Sequence, residues 1–270
     1  MWISMLDCTQ PPPPQKPPTL FHPSSRILLL GEGDFSFAAS LVRHHCVRHL
    51  TATSLDSEAE LLEKYPQAAG NVAVVRGMAG GGGKVGRVKA VRKRRGEVVP
   101  GPVEEGGKEG EEGEEEGRKE LGGRGVVGFD VITFMFPHIG GKSTHLDRQV
   151  CGNQQLLQSF FTSVKPLLSP RGVIVVTLFE GKQYDLWDIK GLAKAAGLQT
   201  RTSFKFAFED YPGYAHSRTL GNVSSGGWKG EERNARTFVF EVGDRERNSA
   251  GGGGGRQGKR KKQDDSSGEE

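Results

Sequence analysis

The sequence predicts an α/β fold: a doubly wound, mostly parallel sheet that closes on an antiparallel pair. Three observations predict it. Apolar runs at 27–30, 51–56, 71–76, 129–136 and 171–179 alternate with helical patterns, and that alternation buries a sheet between two helical layers. The first of these runs is almost wholly apolar, as suits a strand covered on both faces. Two late segments, 198–208 and 235–242, alternate instead, which suits an antiparallel pair at one side of the sheet.

In chain order, Ile27–Leu30 make the first strand, and Ser36 can cap the helix over 37–50. The second strand ends on Asp56. Ser57 and Glu60 then stand in a capping-box relation, and Pro66 closes that helix. "NVAVVR" (71–76) reads as the third strand. "FDVITFMF" (129–136) is the fourth, stopped by Pro137. A helix over 147–168 gives out near Pro166, and 171–179 is the fifth strand. A helix over 185–197 follows, with Gly197 as its C-terminal cap.

Composition sets the domain limits. The chain has 270 residues, a formal charge of +4 and 40 glycines. Residues 1–25 are a Pro-rich leader, 79–125 are rich in Gly, Glu, Lys and Arg, and 242–270 form a basic, Gly-rich tail. Such stretches bury too little apolar surface to offset chain entropy, so disorder is expected in each. One domain over 26–241, interrupted at 79–125, keeps about 170 residues, enough for one core. Cys8, Cys46 and Cys151 are scattered, with no CxxC. That argues against a disulfide framework and a zinc site, and for a reducing compartment. His44, His45 and His49 share no clear ligand spacing with a carboxylate or Cys, so they read as surface residues and no metal is expected. No apolar run is long enough to span a membrane, and the non-basic start "MWISMLDC" argues against a secretory signal. The tracts 84–95 (basic), 104–120 (acidic) and "RQGKRKK" (basic) read either as solvated runs or as a nuclear address with non-specific RNA affinity.

In a doubly wound sheet, ligands bind outside the carboxyl ends of the strands. Gly31–Ser36, Asp56 and Phe136–His138 all fall there. The turn Gly31-Glu32-Gly33-Asp34-Phe35-Ser36 lacks the third glycine of a dinucleotide fingerprint and the Gly-Lys-Ser/Thr of a phosphate loop. "GGKST" (140–144) ends like such a loop, but Phe136 stands where its first glycine belongs. Glu32 and Asp34 would repel a pyrophosphate and suit a cation. S-adenosylmethionine fits: it has no phosphate, it carries a sulfonium, and Asp56 can accept its ribose hydroxyls. The plainer reading is a tight strand–helix turn with Asp56 as a helix cap.

Five blocks carry a resemblance: "LLLGEGDFSFAASL", "ATSLDSEAELLEKYPQA", "FDVITFMFPHIGGKS", "TLFEGKQYDLWDIKGLAKAAGL" and "FKFAFEDYPGYAHSRT". In order and over nearly all of 26–78 and 126–241, they resemble the uridine-N3 methyltransferases of ribosomal RNA. The resemblance implies a Rossmann-like class I methyltransferase fold, S-adenosylmethionine as donor, and N3 of a uridine in large-subunit rRNA as acceptor. It also implies ribosomal RNA or a pre-ribosome as partner, and a role in ribosome biogenesis in the nucleolus or nucleus, with the cytoplasm as alternative. A monomer is expected. The cofactor would meet Gly31, Glu32, Gly33, Asp34, Phe35, Ser36 and Asp56. Phe134, Phe136, Pro137 and His138 match the block beside the methyl group, and Tyr211, Pro212, Gly213, Tyr214, His216, Arg218 and Thr219 match the late block. Two departures stand out: Met135 replaces an Asn, and no carboxylate follows Arg76 to hold the adenine. Both also suit a different class, a non-catalytic RNA-binding assembly factor that keeps the fold.

N3 lies on the Watson–Crick edge, so the uridine must be unpaired or extruded. His138 is the expected base for the imide proton. Phe136 and Tyr214 are the expected stacking surfaces, with Phe134 in the core. Pro137, Tyr211, His216 and Arg218 complete the expected substrate contacts, Arg218 through a phosphate or carbonyl oxygen.

Overall fold

A computed structural model describes residues 20–77, 83–93, 97–105, 128–140, 145–217 and 232–243. The strands are β1 (Arg26–Leu30), β2 (His49–Ser54), β3 (Gly83–Lys93), β4 (Glu97–Glu105), β5 (Phe129–Met135), β6 (Leu168–Phe179), β7 (Leu198–Phe206) and β8 (Ala235–Val242). They form one sheet in the order β4-β3-β2-β1-β5-β6-β8-β7. From β3 to β6 all neighbours are parallel, β8 runs antiparallel between β6 and β7, and β4 is antiparallel at the far edge. The helices are α1 (Ser36–His44), α2 (Glu58–Lys64), α3 (Ala68–Arg76), α4 (Leu146–Val164), α5 (Lys182–Asp185) and α6 (Ile189–Ala195).

Both sheet faces are covered. Successive side chains of a strand point to opposite faces. Ile27 and Leu29 therefore join the core under α1–α3, with Leu41, Leu61 and Val72. Leu28 and Leu30 join the core under α4 and α6, with Phe160, Phe161 and Ile189.

Four expectations need correction. Residues 71–76 are not a strand. They lie in α3, where Ala68, Val72 and Val75 recur at helical spacing and are buried; packing overrides the strand preference of the valines. The third strand is β3, inside the tract expected to be featureless. Valines at 85, 88 and 91 of β3, and 98, 99 and 103 of β4, supply strand propensity, and Pro100 falls in β4, the edge strand, where proline is tolerated. The leader, finally, ends before residue 25. Phe21 is buried, with its ring edge-on to Phe37 and Tyr211. The helix expected over 185–197 begins only at Ile189, as α6, because Asp188 has φ +46° and caps it by accepting from Gly191 N–H.

Candidate active site

The carboxyl ends of β1, β2, β5 and β6 meet along one edge of the sheet. Gly31 follows β1 with φ +70°, and a Cβ there would come within 2.5 Å of the Phe134 ring, so only glycine fits. At Gly33 a Cβ would meet Ser217 at 3.4 Å and Tyr65 at 3.8 Å, which is ordinary contact. Glu32 N–H donates to Thr53 of β2 at 2.9 Å. Phe35, with φ +60°, occupies the cap position of α1. Ser36 is therefore not the cap; its hydroxyl donates to Ala215 O (3.2 Å) and accepts from Ala215 N–H (3.4 Å), fastening the late loop to the turn.

The two carboxylates of the turn are buried and face inward. Asp34 Oδ1 accepts from Ser36 N–H at 3.0 Å, and Glu32 Oε2 from Ala38 N–H at 3.2 Å. They satisfy first-turn amides that α1 leaves without intrahelical partners. Gln67 and Asn71 hold Asp34 from the α2–α3 side, at 3.2 Å and 2.9 Å. Each carboxylate thus gives one oxygen to the start of α1. Burial, with a smaller contribution from the Asp34 charge, raises the Glu32 pKa from 4.5 to about 8.

That shift fixes a pH dependence. The folded state holds a proton that the unfolded state releases above pH 4.5, so Glu32's contribution is complete below that pH and is lost as pH rises to about 8. Glu32→Gln is neutral at every pH. Thermal melts from pH 4 to 9 should show the parent losing stability over this window and the glutamine variant losing less, with the variant the more stable at pH 8. Parallel curves would contradict the burial argument.

Asp56 lies just beyond β2. Its N–H donates to Ser54 Oγ at 3.2 Å, and its Oδ1 accepts from Lys64 Nζ at 2.6 Å. Ser57, not Asp56, caps α2, through the expected box with Glu60. Among the described residues Oδ2 of Asp56 accepts no hydrogen bond, so the carboxylate is held in place with one oxygen available.

The ends of β5 and β6 are aromatic. Phe136 has φ +47°, a conformation a bulky residue rarely adopts, and its N–H donates to Thr177 O at 2.9 Å. Its ring is only 8% exposed. Phe179 at 4.3 Å, His216 at 4.6 Å and a parallel Phe208 at 5.9 Å enclose it. Phe136 is therefore a buried brace and not the open stacking surface expected. Phe134 lies under Gly31 and against Phe160, as the core reading has it.

Pro137 is buried and His138 exposed. Gly140 N–H donates to His138 Nδ1 at 2.9 Å. That nitrogen must carry a lone pair, so in the neutral ring Nε2 carries the proton. Partial desolvation lowers the His138 pKa and favours this neutral form. In this tautomer the open nitrogen bears a hydrogen, so His138 presents a donor there.

The late loop packs against these rings. Tyr211 stacks between Phe206 (5.2 Å) and His45 (5.1 Å), and burial pushes its phenol pKa upward. His45, expected at the surface, donates from Nε2 to Asp210 O at 2.9 Å and clamps this loop. Tyr214 is half-buried, nearly parallel to Phe208 at 5.7 Å. Pro212 and Gly213 are exposed, and His216 touches both Phe136 and Phe179. Arg218, Thr219 and residues 141–144 lie outside the described residues. Among the described residues no three His, Cys, Asp or Glu gather as metal ligands, and no helix is long and apolar enough to cross a membrane.

Sequence reading missed Gln67 and Asn71. Their four-residue spacing puts both on one helical face, a signal hidden when 71–76 is read as strand.

A glycine turn after the first strand, a carboxylate after the second, and a parallel sheet whose last pair reverses together define a Rossmann-like methyltransferase architecture. The chain belongs to the BMT5-like family, described as rRNA (uridine-N3-)-methyltransferase BTM5-like, whose model matches residues 28–218. Uncharacterized protein At4g26485 of Arabidopsis thaliana is 28% identical over 209 residues, 76% of this chain and 87% of that protein. The 25S rRNA (uridine(2634)-N(3))-methyltransferase of Saccharomyces cerevisiae is 32% identical over 142 residues, 40% of this chain and 42% of that protein. The chain thus spans less than half the length of the yeast enzyme. Among solved structures, the 30S ribosomal A1408 methyltransferase from an uncultured bacterium aligns at a TM-score of 0.41 and 10% identity, over 83% of this chain and 90% of that one.

Proposed function

We propose that the protein is an S-adenosylmethionine-dependent methyltransferase acting on N3 of a uridine in large-subunit ribosomal RNA. One observation carries the reading: the residues that match the family converge on a single sheet edge, with the Gly31 turn, Asp56, His138 and the Tyr211–His216 loop side by side. The acceptor chemistry fits the cofactor, since Asp56 presents a free carboxylate oxygen to ribose hydroxyls next to a turn that only glycine can make. When bound, S-adenosylmethionine supplies a methyl group on a positively charged sulfur.

The chain's own residues do the rest. Lys64 fixes Asp56. Tyr214 offers a half-exposed ring to an extruded base. His138 donates from Nε2 to a uracil carbonyl, and the imide proton leaves to water. Asp34 cannot take it, being bound to Ser36 N–H and Gln67. The partner in this reading is ribosomal RNA or a pre-ribosome, met by a monomer in the nucleolus or nucleus.

Asp56→Ala should weaken S-adenosylmethionine binding by roughly 10–100-fold, the worth of a hydrogen bond to a charged group, with melting temperature nearly unchanged. Titration calorimetry measures both the parent's binding and its loss. Met135, an apolar residue packed between two core clusters, favours a second reading as a non-catalytic RNA-binding assembly factor. Calorimetry separates the two: a folded parent that binds no S-adenosylmethionine supports the second reading and overturns the first.

A further inference from the structure

Arg233 lies outside the family match, at the entry to β8. Its guanidinium sits 4.4 Å from the centre of the Phe179 ring and 5.5 Å from that of Tyr184. Phe179 ends β6 and packs directly on Phe136 and His216. Backbone pairing holds the segment there, because Glu180 N–H donates to Asn234 O at 2.9 Å and Phe179 pairs with Ala235. The neighbouring charges do not compete. Glu180 is taken by Arg236 at 2.8 Å, and among the described residues Arg233 has no carboxylate or carbonyl partner. A guanidinium stacked on aromatic faces keeps its in-plane donors free, aimed along the ring surface. It is half-buried, so its charge is less screened than on an open surface.

Resting on the methyltransferase reading above, we infer that Arg233 supplies the positive charge that stabilises the reacting uracil anion, beside the neutral N–H donor of His138. Methyl transfer to N3 requires the N3–H bond to break. The proton goes to water, and the electron pair left behind spreads over N3 and the two flanking carbonyl oxygens. That pair then forms the new N–C bond, while the pair of the breaking C–S bond stays on sulfur. A planar cation with parallel N–H donors suits an N–C–O edge carrying one negative charge. A fixed positive charge beside the ring lowers the pH at which the imide ionises. The titratable or charged groups nearest Arg233 are Glu180 with its partner Arg236, Lys182, Tyr184 and Asp185, with Glu232 beside it in the chain and His216 across Phe179.

The test is single-turnover methyl transfer from S-adenosylmethionine to in-vitro-transcribed large-subunit rRNA, from pH 6 to 10. In Arg233→Gln the midpoint of the rate profile should move about one unit or more to alkali, with a loss of about tenfold at neutral pH that closes at high pH. Arg233→Lys, which keeps the charge but not the fork, should fall between. Melting curves report on the fold, and Arg233→Met, which keeps the stacked stem, gives the same comparison if the glutamine variant melts early. An unmoved midpoint overturns the inference. So does a loss confined to KM with a shallower salt dependence of RNA binding, which is the mark of a phosphate contact. A parent that transfers no methyl overturns the methyltransferase reading, and this inference with it.

Discussion

Replacing His138 with alanine should lower single-turnover methyl transfer by roughly 10²–10³-fold, the usual worth of one donor aimed at developing charge, and should leave S-adenosylmethionine affinity close to the parent's. The reason lies in two short stretches. Pro137 ends the β5 ladder, so the chain turns and exposes the next side chain. Gly140 N–H then occupies Nδ1 and leaves Nε2 as an N–H pointing away from the backbone. Protonating the ring would set two N–H groups against each other at that bond, which favours the neutral ring. A donor and a base differ in their pH behaviour. Loss of a base disappears in alkali, where the imide ionises unaided, whereas loss of an orienting donor persists in part. His138→Gln, which keeps an N–H donor, should recover some of the rate. Full recovery of the alanine variant in alkali would restore the general-base role, and a rate within a few-fold of the parent at all pH values would make His138 structural.

Gly31→Ala should be the most destabilising single change in the turn. A left-handed backbone costs a residue with a Cβ about 1–2 kcal/mol, and the 2.5 Å approach to Phe134 adds an overpacking cost of about 1–3 kcal/mol. Phe134 packs on Phe160 at 5.1 Å, so its ring moves only at the expense of that contact. A melting temperature lower by roughly 4–20 °C follows at about 2–4 °C per kcal/mol. Gly33→Ala is the control. Its new methyl meets Ser217 and Tyr65 at contact distance, so the fold should hold, and any loss of cofactor affinity reads the ligand and not the scaffold. Equal melting losses in the two variants would contradict this division.

Much of the fold was legible because periodicity was strong. The strand at 235–242 has the limits read from its alternation, and the capping box at Ser57 and Glu60 forms as spelled. Errors arose where two signals competed. Three valines in 71–76 suggested a strand, yet Ala68, Val72 and Val75 answer to a helix face. Glycine and charge at 79–125 suggested no structure, yet β3 and β4 are held by backbone pairing, and only β4 lies at the edge. At the site, residue types located the turn, Asp56 and the Pro137-His138 step. They gave no direction for the side chains. Glu32 and Asp34 turn inward to helix amides, and Phe136 closes on Phe179 and Phe208, because neighbours distant in sequence claim them. Arg233 was invisible for the same reason: only the β6–β8 pairing brings it to Phe179.

The most direct measurement is nucleoside mass spectrometry of unmodified large-subunit rRNA after incubation with the purified protein and S-adenosylmethionine carrying a labelled methyl group. The account predicts one labelled product, uridine methylated at N3, formed by the parent and greatly reduced with Asp56→Ala and His138→Ala. Label on C5, on a ribose hydroxyl or on another base, or no label from a folded protein, would contradict it.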